Sequence, residues 1–359
     1  MHCKKIISLL TATALTATAA LSLASCGKKS TDDTTVAPLT EGTAVSDSEN
    51  TTAEAQTGII NPLTGLSGFE AEGQKPVAIV VENTPAARPQ WGLTSPDMLL
   101  EYEVEGGITR MLWLYADIND VPDTVGPVRS ARHDVVELAL GLDALFIHCG
   151  GSPMAYNKIN QYSGTLKEID GMASQSFFVR NTSRSTSSEH RLTLKGDGLR
   201  EYVANNIDMT LTSGYEHPFS FNSAVTTPAG TACNSIYFAF SSSYTYEFNY
   251  NSSDGLYYCD INSSARKDDG GNQCAYENVL VLYTAMSTID STGHQELDLT
   301  GGSGIYVSDG VSQQITWAKG SDRDMLKLYA SDGSTLSLNP GKSYIGFVRS
   351  TQSGYTKLS

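Results

Sequence analysis

Between Asp97 and Arg132 the chain reads DMLLEYEVEGGITRMLWLYADINDVPDTVGPVRSAR, and this run limits the fold more than any other. Gly106-Gly107 separates two alternating stretches, the pattern of a β-hairpin with a two-residue turn. With those glycines as the turn, Glu103 faces Arg110 and Leu100 faces Trp113. One face then carries Leu100, Tyr102, Val104, Thr109, Met111 and Trp113, and the other Glu101, Glu103, Glu105, Ile108, Arg110 and Leu112. Glu103 has two readings. It is a cross-strand partner of Arg110, worth roughly 0.2–1 kcal/mol, or it holds Arg110 as a ligand clamp.

A helix follows in GPVRSARHDVVELALG. Ser130 stands where an N-cap belongs, Val135, Val136, Leu138 and Ala139 give an apolar face, and Gly141 stands just past the end. Arg129 and Arg132 flank the N-terminus, where a cation opposes the helix dipole by roughly 0.3–1 kcal/mol. Free N–H groups and two guanidinium forks suit a phosphate or carboxylate. The plainer reading pairs each arginine with a nearby acid such as Asp123 or Asp134.

On either side of this run the elements alternate. Lys75 to Asn83 (KPVAIVVEN) is almost continuously apolar, as in a strand covered on both faces. The Pro-rich loop Thr84 to Leu93 carries Arg88, a candidate ligand contact at a strand end, and Trp91, which suits packing. Asp143 to Cys149 reads as a strand. Gly150-Gly151, Ser152 as N-cap and Pro153 then open a helix from Met154 to about Asn160. Ser152 therefore marks a second helix N-terminus beside a buried strand, without the spacing of a phosphate loop or a dinucleotide fingerprint. His148 suits a satisfied core histidine. Phe177 to Arg180 is a short strand, followed by a polar segment with Arg184, His190 and Arg191, and Leu199 to Asn206 is a helix.

From about Gly214 tyrosine and serine become dense. Three Ser-Asp-Gly turns (253–255, 308–310, 331–333) separate alternating runs, and Val279 to Tyr283 is apolar. The expected fold is thus an α/β or α+β N-terminal domain (59–210), with a mixed sheet and flanking helices, and a mostly antiparallel β C-terminal domain (214–350).

Ahead of these lies an export signal. Lys4 and Lys5 precede the apolar run Ile6 to Ala24, and Leu23-Ala24-Ser25-Cys26 forms a lipobox. The expectation is a signal peptide over 1–25, diacylation of Cys26 and a location on the outer face of the cell membrane, since two acyl chains anchor stably. Residues 26–58 contain no aromatic residue and read as a disordered tether, spanning roughly 30 Å as a random coil.

A formal charge of −15 argues against nucleic acid as a partner. Yet seven of the eleven arginines lie between Arg88 and Arg191, and arginine favours forked recognition of oxyanions. Cys259 and Cys274 are spaced to close a hairpin, though spacing alone does not pair them. No cysteine or histidine spacing resembles a metal site, so no metal and no cofactor are expected.

NPLTGL (61–66), PAARPQ (85–90), EGGITR (105–110), VGPVRSAR (125–132), the GGSP after His148, His190, and Trp317 through Pro340-Gly341 to Val348 together resemble the YerB-like lipoproteins of Gram-positive bacteria. That family has two domains of unknown function, and the resemblance covers nearly all of Asn61 to Val348. The family pattern places two asparagines where Glu82-Asn83 stands, and an asparagine where Arg191 follows His190. The resemblance implies lipid anchoring and a cell-envelope setting, and no established activity.

Three functions follow as expectations. The first is a binding module in which Arg88, Glu103, Arg110, Arg129, Arg132, Ser152, Arg180, Arg184 and His190 line a cleft for an anionic wall polymer, a glycopeptide or an envelope protein. The second is an envelope enzyme for phosphoryl or glycosyl chemistry, with His190 as acid or base and a glutamate from 101–105 as its partner. The third is a scaffold for cell-wall synthesis proteins. No activated nucleophile motif is present.

Overall fold

The computed structural model describes residues 58–173 and 175–359; the export signal, Cys26 and almost all of the tether lie outside the described residues. The N-terminal part runs β1 (Val77–Glu82), β2 (Met98–Glu103), β3 (Thr109–Tyr115), α1 (His133–Gly141), β4 (Leu145–His148), α2 (Pro153–Gln161), β5 (Lys167–Asp170), β6 (Phe178–Arg180), β7 (Leu192–Leu194) and α3 (Gly196–Asn206). Every residue of β1 to β4 is buried, as the apolar runs predict. The C-terminal part adds β8 (Ser235–Ser241), β9 (Tyr244–Asn251), β10 (Leu256–Ile261), β11 (Asn278–Thr284), β12 (Gly301–Ser308), β13 (Val311–Ala318), β14 (Lys327–Ala330) and β15 (Ser343–Arg349). The three Ser-Asp-Gly turns fall after β9, β12 and β14.

One mixed sheet joins both parts in the order β14-β13-β12-β11-β15-β2-β3-β1-β4-β5. The last long strand, β15, lies parallel to both β11 and β2. Most C-terminal pairings are antiparallel, and β8 to β10 build a second sheet. Side-chain alternation feeds two cores. Val77, Ile79, Val81, Met111 and Trp113 pack with Leu199 and Val203 of α3 and with Phe238, Phe248 and Tyr344. Ala78, Val80, Leu112 and Phe146 pack under Val135, Ala139, Ala155 and Ile159 of α1 and α2.

Two local expectations need correcting. Tyr102, not Glu103, faces Arg110, and Glu103 faces Thr109. The turn occupies more than two residues: Val104 N–H reaches Ile108 O at 2.8 Å around a short 3-10 turn at Glu105–Gly107. A slip of one residue exchanges faces, so Arg110 and Leu112 share a face with Leu100 and Tyr102. The second correction is at α1, which begins at His133 with Arg132 in the cap position and no side-chain cap. Ser130 instead donates to Cys149 O at 3.1 Å. Gly141 is the last helical residue, and Asp143 takes the left-handed turn (φ 51°). A Cβ on Gly141 would come within 2.5 Å of Asp324 O, so close helix–loop packing is what requires glycine there.

Candidate functional site

The parallel strands β1, β4 and β5 end on the same edge, and the chain leaves β1 toward β3 and β4 toward β5. In open α/β sheets, ligands bind beyond the carboxyl ends of the strands at such a switch point. Residues 127–131 run into it as an extended segment. Glu82 N–H reaches Pro127 O at 2.9 Å, Arg129 N–H reaches Val80 O at 2.9 Å, and Cys149 N–H reaches Arg129 O at 3.1 Å. Arg129 is thereby placed between the ends of β1 and β4. The preceding bend requires Gly126 (φ 140°), because a Cβ there would meet Val128 N and Leu192 O.

Glu82 closes the apolar run of β1 and stays almost wholly buried. Its Oε1 accepts from His190 Nδ1 at 2.8 Å and from Thr84 Oγ1 at 2.7 Å. Its Oε2 has no hydrogen-bond partner and lies 3.5 Å from Arg129 Nε, which also lacks one. The other end of Arg129 is 3.7 Å from the exposed carboxylate of Glu189, which also lies 3.7 Å from His190 Nε2. This is a loose group of opposite charges at an open edge.

The other predicted residues divide by what holds them. Arg132 forms a forked pair with Glu105 at 2.6 and 2.8 Å, not with Asp134. Arg110 is buried, makes no ion pair among the described residues and donates to Ser130 O at 2.7 Å. Burial, with Arg132 nearby, lowers its pKa to about 10. These two arginines brace the segment that carries Arg129. Arg88 donates to Asn83 Oδ1 at 3.1 Å and Asn83 O at 2.7 Å, over the Tyr244 ring. Arg184 donates to Ala87 O at 3.1 Å and lies 3.5 Å from the Trp91 ring centroid, so Trp91 packs against a cation. Arg180 is exposed and bonded to Ser188 O in the loop that carries His190. Ser152 caps α2 through Ala155 N–H at 3.1 Å. Glu103 lies apart, paired with Arg349 at 3.0 Å. Five cavities among the described residues are lined by other side chains than these nine.

Sequence reasoning passed over the residue that organises the edge, Glu82, although a lone carboxylate ending an apolar strand is a legible signal. It also passed over the interior behind it. Asn83 points to the opposite face and donates to Glu101 and Tyr246 at 2.7 and 2.8 Å. The Glu101 carboxylate, with no exposure, accepts from Asn83, Thr109 and Tyr246 on one oxygen and from Arg266 (3.1 Å) and Tyr344 (3.0 Å) on the other.

Among the described residues, His148, Glu168 and Asp170 form the one group of three side chains close enough to share a metal ion. Their atoms are already engaged: His148 with Gly150 O and Glu168, each at 2.8 Å, and Asp170 with Gly150 N–H, Met172 N–H and Tyr156 Oη. Burial opposes the charge of Asp170, but those donors outweigh it and pull its pKa down. His148 is a satisfied core histidine. Cys149, Cys233, Cys259 and Cys274 are free thiols, with Cys259 N–H bonded to Cys274 O at 2.9 Å.

Residues 63–210 match the N-terminal domain, and 236–345 the C-terminal domain, of a family described as a protein of unknown function (DUF3048). YerB of Bacillus subtilis strain 168, which is named as a lipoprotein, is 29% identical over 297 residues, covering 80% of this chain and 85% of YerB. The crystal structure of YerB superposes with a TM-score of 0.71 at 27% identity, covering 84% of this chain and 99% of that one.

Proposed function

The chain belongs to the YerB-like DUF3048 family, and on that premise we propose that it is a membrane-anchored extracytoplasmic lipoprotein that binds an anionic group of the cell envelope at the carboxyl edge of β1 and β4. The observation that carries this reading is the state of Arg129. Its neighbours Arg88, Arg110 and Arg132 are committed to close partners, whereas Arg129 stands 3.5 and 3.7 Å from its two carboxylates with Nε unbonded. A phosphate or carboxylate would offer that fork the short charge-assisted bonds it lacks. The exposed Arg180, at the end of β6, supplies further donors beside the loop that carries His190, whose Nε2 faces the same edge. Arg110, Arg132 and Ser152 position the segment, Arg88 and Arg184 shape the neighbouring loop, and Glu103 takes no part.

Calorimetry of the mature protein with inorganic phosphate, citrate and phosphate-bearing wall fragments tests this. Saturable binding that Arg129→Ala abolishes supports the reading; absence of saturable heat with every anion contradicts it.

A second reading rests on the pairing of His190 with Glu82. A buried carboxylate 2.8 Å from Nδ1 orients the ring and leaves Nε2 for proton transfer. The partner is Glu82 and not a glutamate from 101–105, since Glu101, Glu103 and Glu105 are held by Arg266, Arg349 and Arg132. Turnover of a wall polymer that is lost in His190→Ala would favour this enzyme.

A further inference from the structure

Helix α3 divides its residues between two sides. Leu199 and Val203 are buried in the core, whereas Gly198, Glu201, Tyr202 and Asn205 recur at the spacing of one helix face, with Asn206 beside them. That face meets the segment 175–177 across a cavity of about 410 Å³. The volume falls among small-molecule sites, which run from roughly 300 to 1,000 Å³. Tyr202 forms an aromatic wall, its ring centroid 5.3 Å from that of the buried Phe177 at an angle of 52°.

The polar part of the lining offers acceptors that no described residue meets. Asn205 and Asn206 turn their Nδ2 groups back onto the helix, to Glu201 O at 2.8 Å and Tyr202 O at 2.7 Å, and their Oδ1 atoms receive no donor. Glu201 adds an exposed carboxylate. Gln175 Oε1 is buried without a hydrogen-bond partner. Gln175 is the one side chain with such an orphaned atom that lines any of the five cavities among the described residues. A buried acceptor left this way is costly until a donor reaches it. No cation lines the cavity, and no residue of the anion edge reaches it.

We propose that this cavity binds an uncharged sugar ring. The ring hydroxyls donate to Gln175, Glu201, Asn205 and Asn206, and the apolar C–H face of the sugar lies on Tyr202, whose ring is an apolar body with a polar tip. Other ligand classes match the lining less well. An oxyanion would find no positive partner and would face Glu201. An ammonium would use that one carboxylate and leave three neutral amides with little to do. A sugar both donates and accepts at each hydroxyl, as amides do.

NMR titration of the mature protein tests the site, read at the side-chain amides of Gln175, Asn205 and Asn206. The probes are glucose, N-acetylglucosamine and a β-linked oligomer of each, with cyclohexanol as the ring that lacks the set of hydroxyls. The expected result is a saturable shift with at least one sugar and none with cyclohexanol. Tighter binding of the oligomer identifies the ring as a unit of a glycan chain, and equal binding identifies a free sugar. Tyr202→Ala weakens binding about tenfold, while Tyr202→Phe keeps most of the affinity. Asn205→Ala, an exposed change to a better helix former, weakens it about fivefold and guards against a folding defect. Arg129→Ala leaves it unchanged, which separates this site from the anion edge. Absence of a saturable shift with every sugar, an equal response to cyclohexanol, or unaltered affinity when Asn205→Ala and Asn206→Ala are combined overturns the proposal.

Discussion

Glu82 and Asn83 are consecutive, yet they belong to different kinds of site. Strand alternation sends Glu82 to the face of α1 and α2, at an edge where Arg129, His190 and Glu189 gather at distances up to 3.7 Å. It sends Asn83 to the opposite face, into a sealed network where Glu101 accepts five donors from both halves of the chain. In the sealed network every charge on Glu101 is met, which is what burial demands. At the edge, Arg129 stands near two carboxylates without reaching either at contact distance. The contrast teaches that a buried network that satisfies its carboxylate and an open charged edge can be assigned to the two faces of one strand end.

The largest test of that contrast divides the chain. Residues 59–210 made alone lack β15, the parallel neighbour of β2, together with Arg266, Tyr246 and Tyr344. The expected outcome is loss of cooperative unfolding in circular dichroism, with Glu101 buried and its arginine gone. Next comes Arg266→Ala in the intact chain. It strands the Glu101 carboxylate and costs about 3–5 kcal/mol in denaturant unfolding, whereas the double change Glu101→Leu/Arg266→Met is expected to recover part of that loss.

A smaller effect is expected at Asp134, and it has a definite sign. The folded pKa, about 8, lies above the ordinary 3.8, so the folded state keeps a proton that the unfolded chain gives up. Stability contributed by this group is full below about pH 4, falls as pH rises between the two values and is level above 8. Asp134→Asn removes that dependence, and its advantage over the parent grows from pH 5 to pH 8 by at most about 1.4 kcal/mol for each pH unit. The smallest effect belongs to Arg129. Its two loose pairs contribute little, so Arg129→Ala is expected to change stability by less than about 1 kcal/mol while abolishing any stabilisation by anions.

The sequence made Arg129 and the helix starts of the outer part legible, though not Glu82, and hid the inner part. The strand, glycine pair, Ser152 and Pro153 announced β4 and α2 because local chemistry determines that switch. The position of Arg129 ahead of α1 was readable for the same reason. The register of β2 and β3 was not, because Glu105 to Ile108 form a turn longer than the glycines alone require. Nor was the shared sheet: β15 enters between β11 and β2 from more than two hundred residues away in sequence from the latter. The partners of Glu101 lie 145 to 243 positions along the chain at Tyr246, Arg266 and Tyr344. No local pattern encodes such contacts.

The most direct test of the open edge follows the ring nitrogens of His190 by NMR in the mature protein as phosphate is added. A saturable shift at Nε2 is expected, with Nδ1 still bonded to Glu82, and no shift in Arg129→Ala. An unmoved His190 ring while phosphate binds elsewhere, or an identical shift in Arg129→Ala, would contradict it.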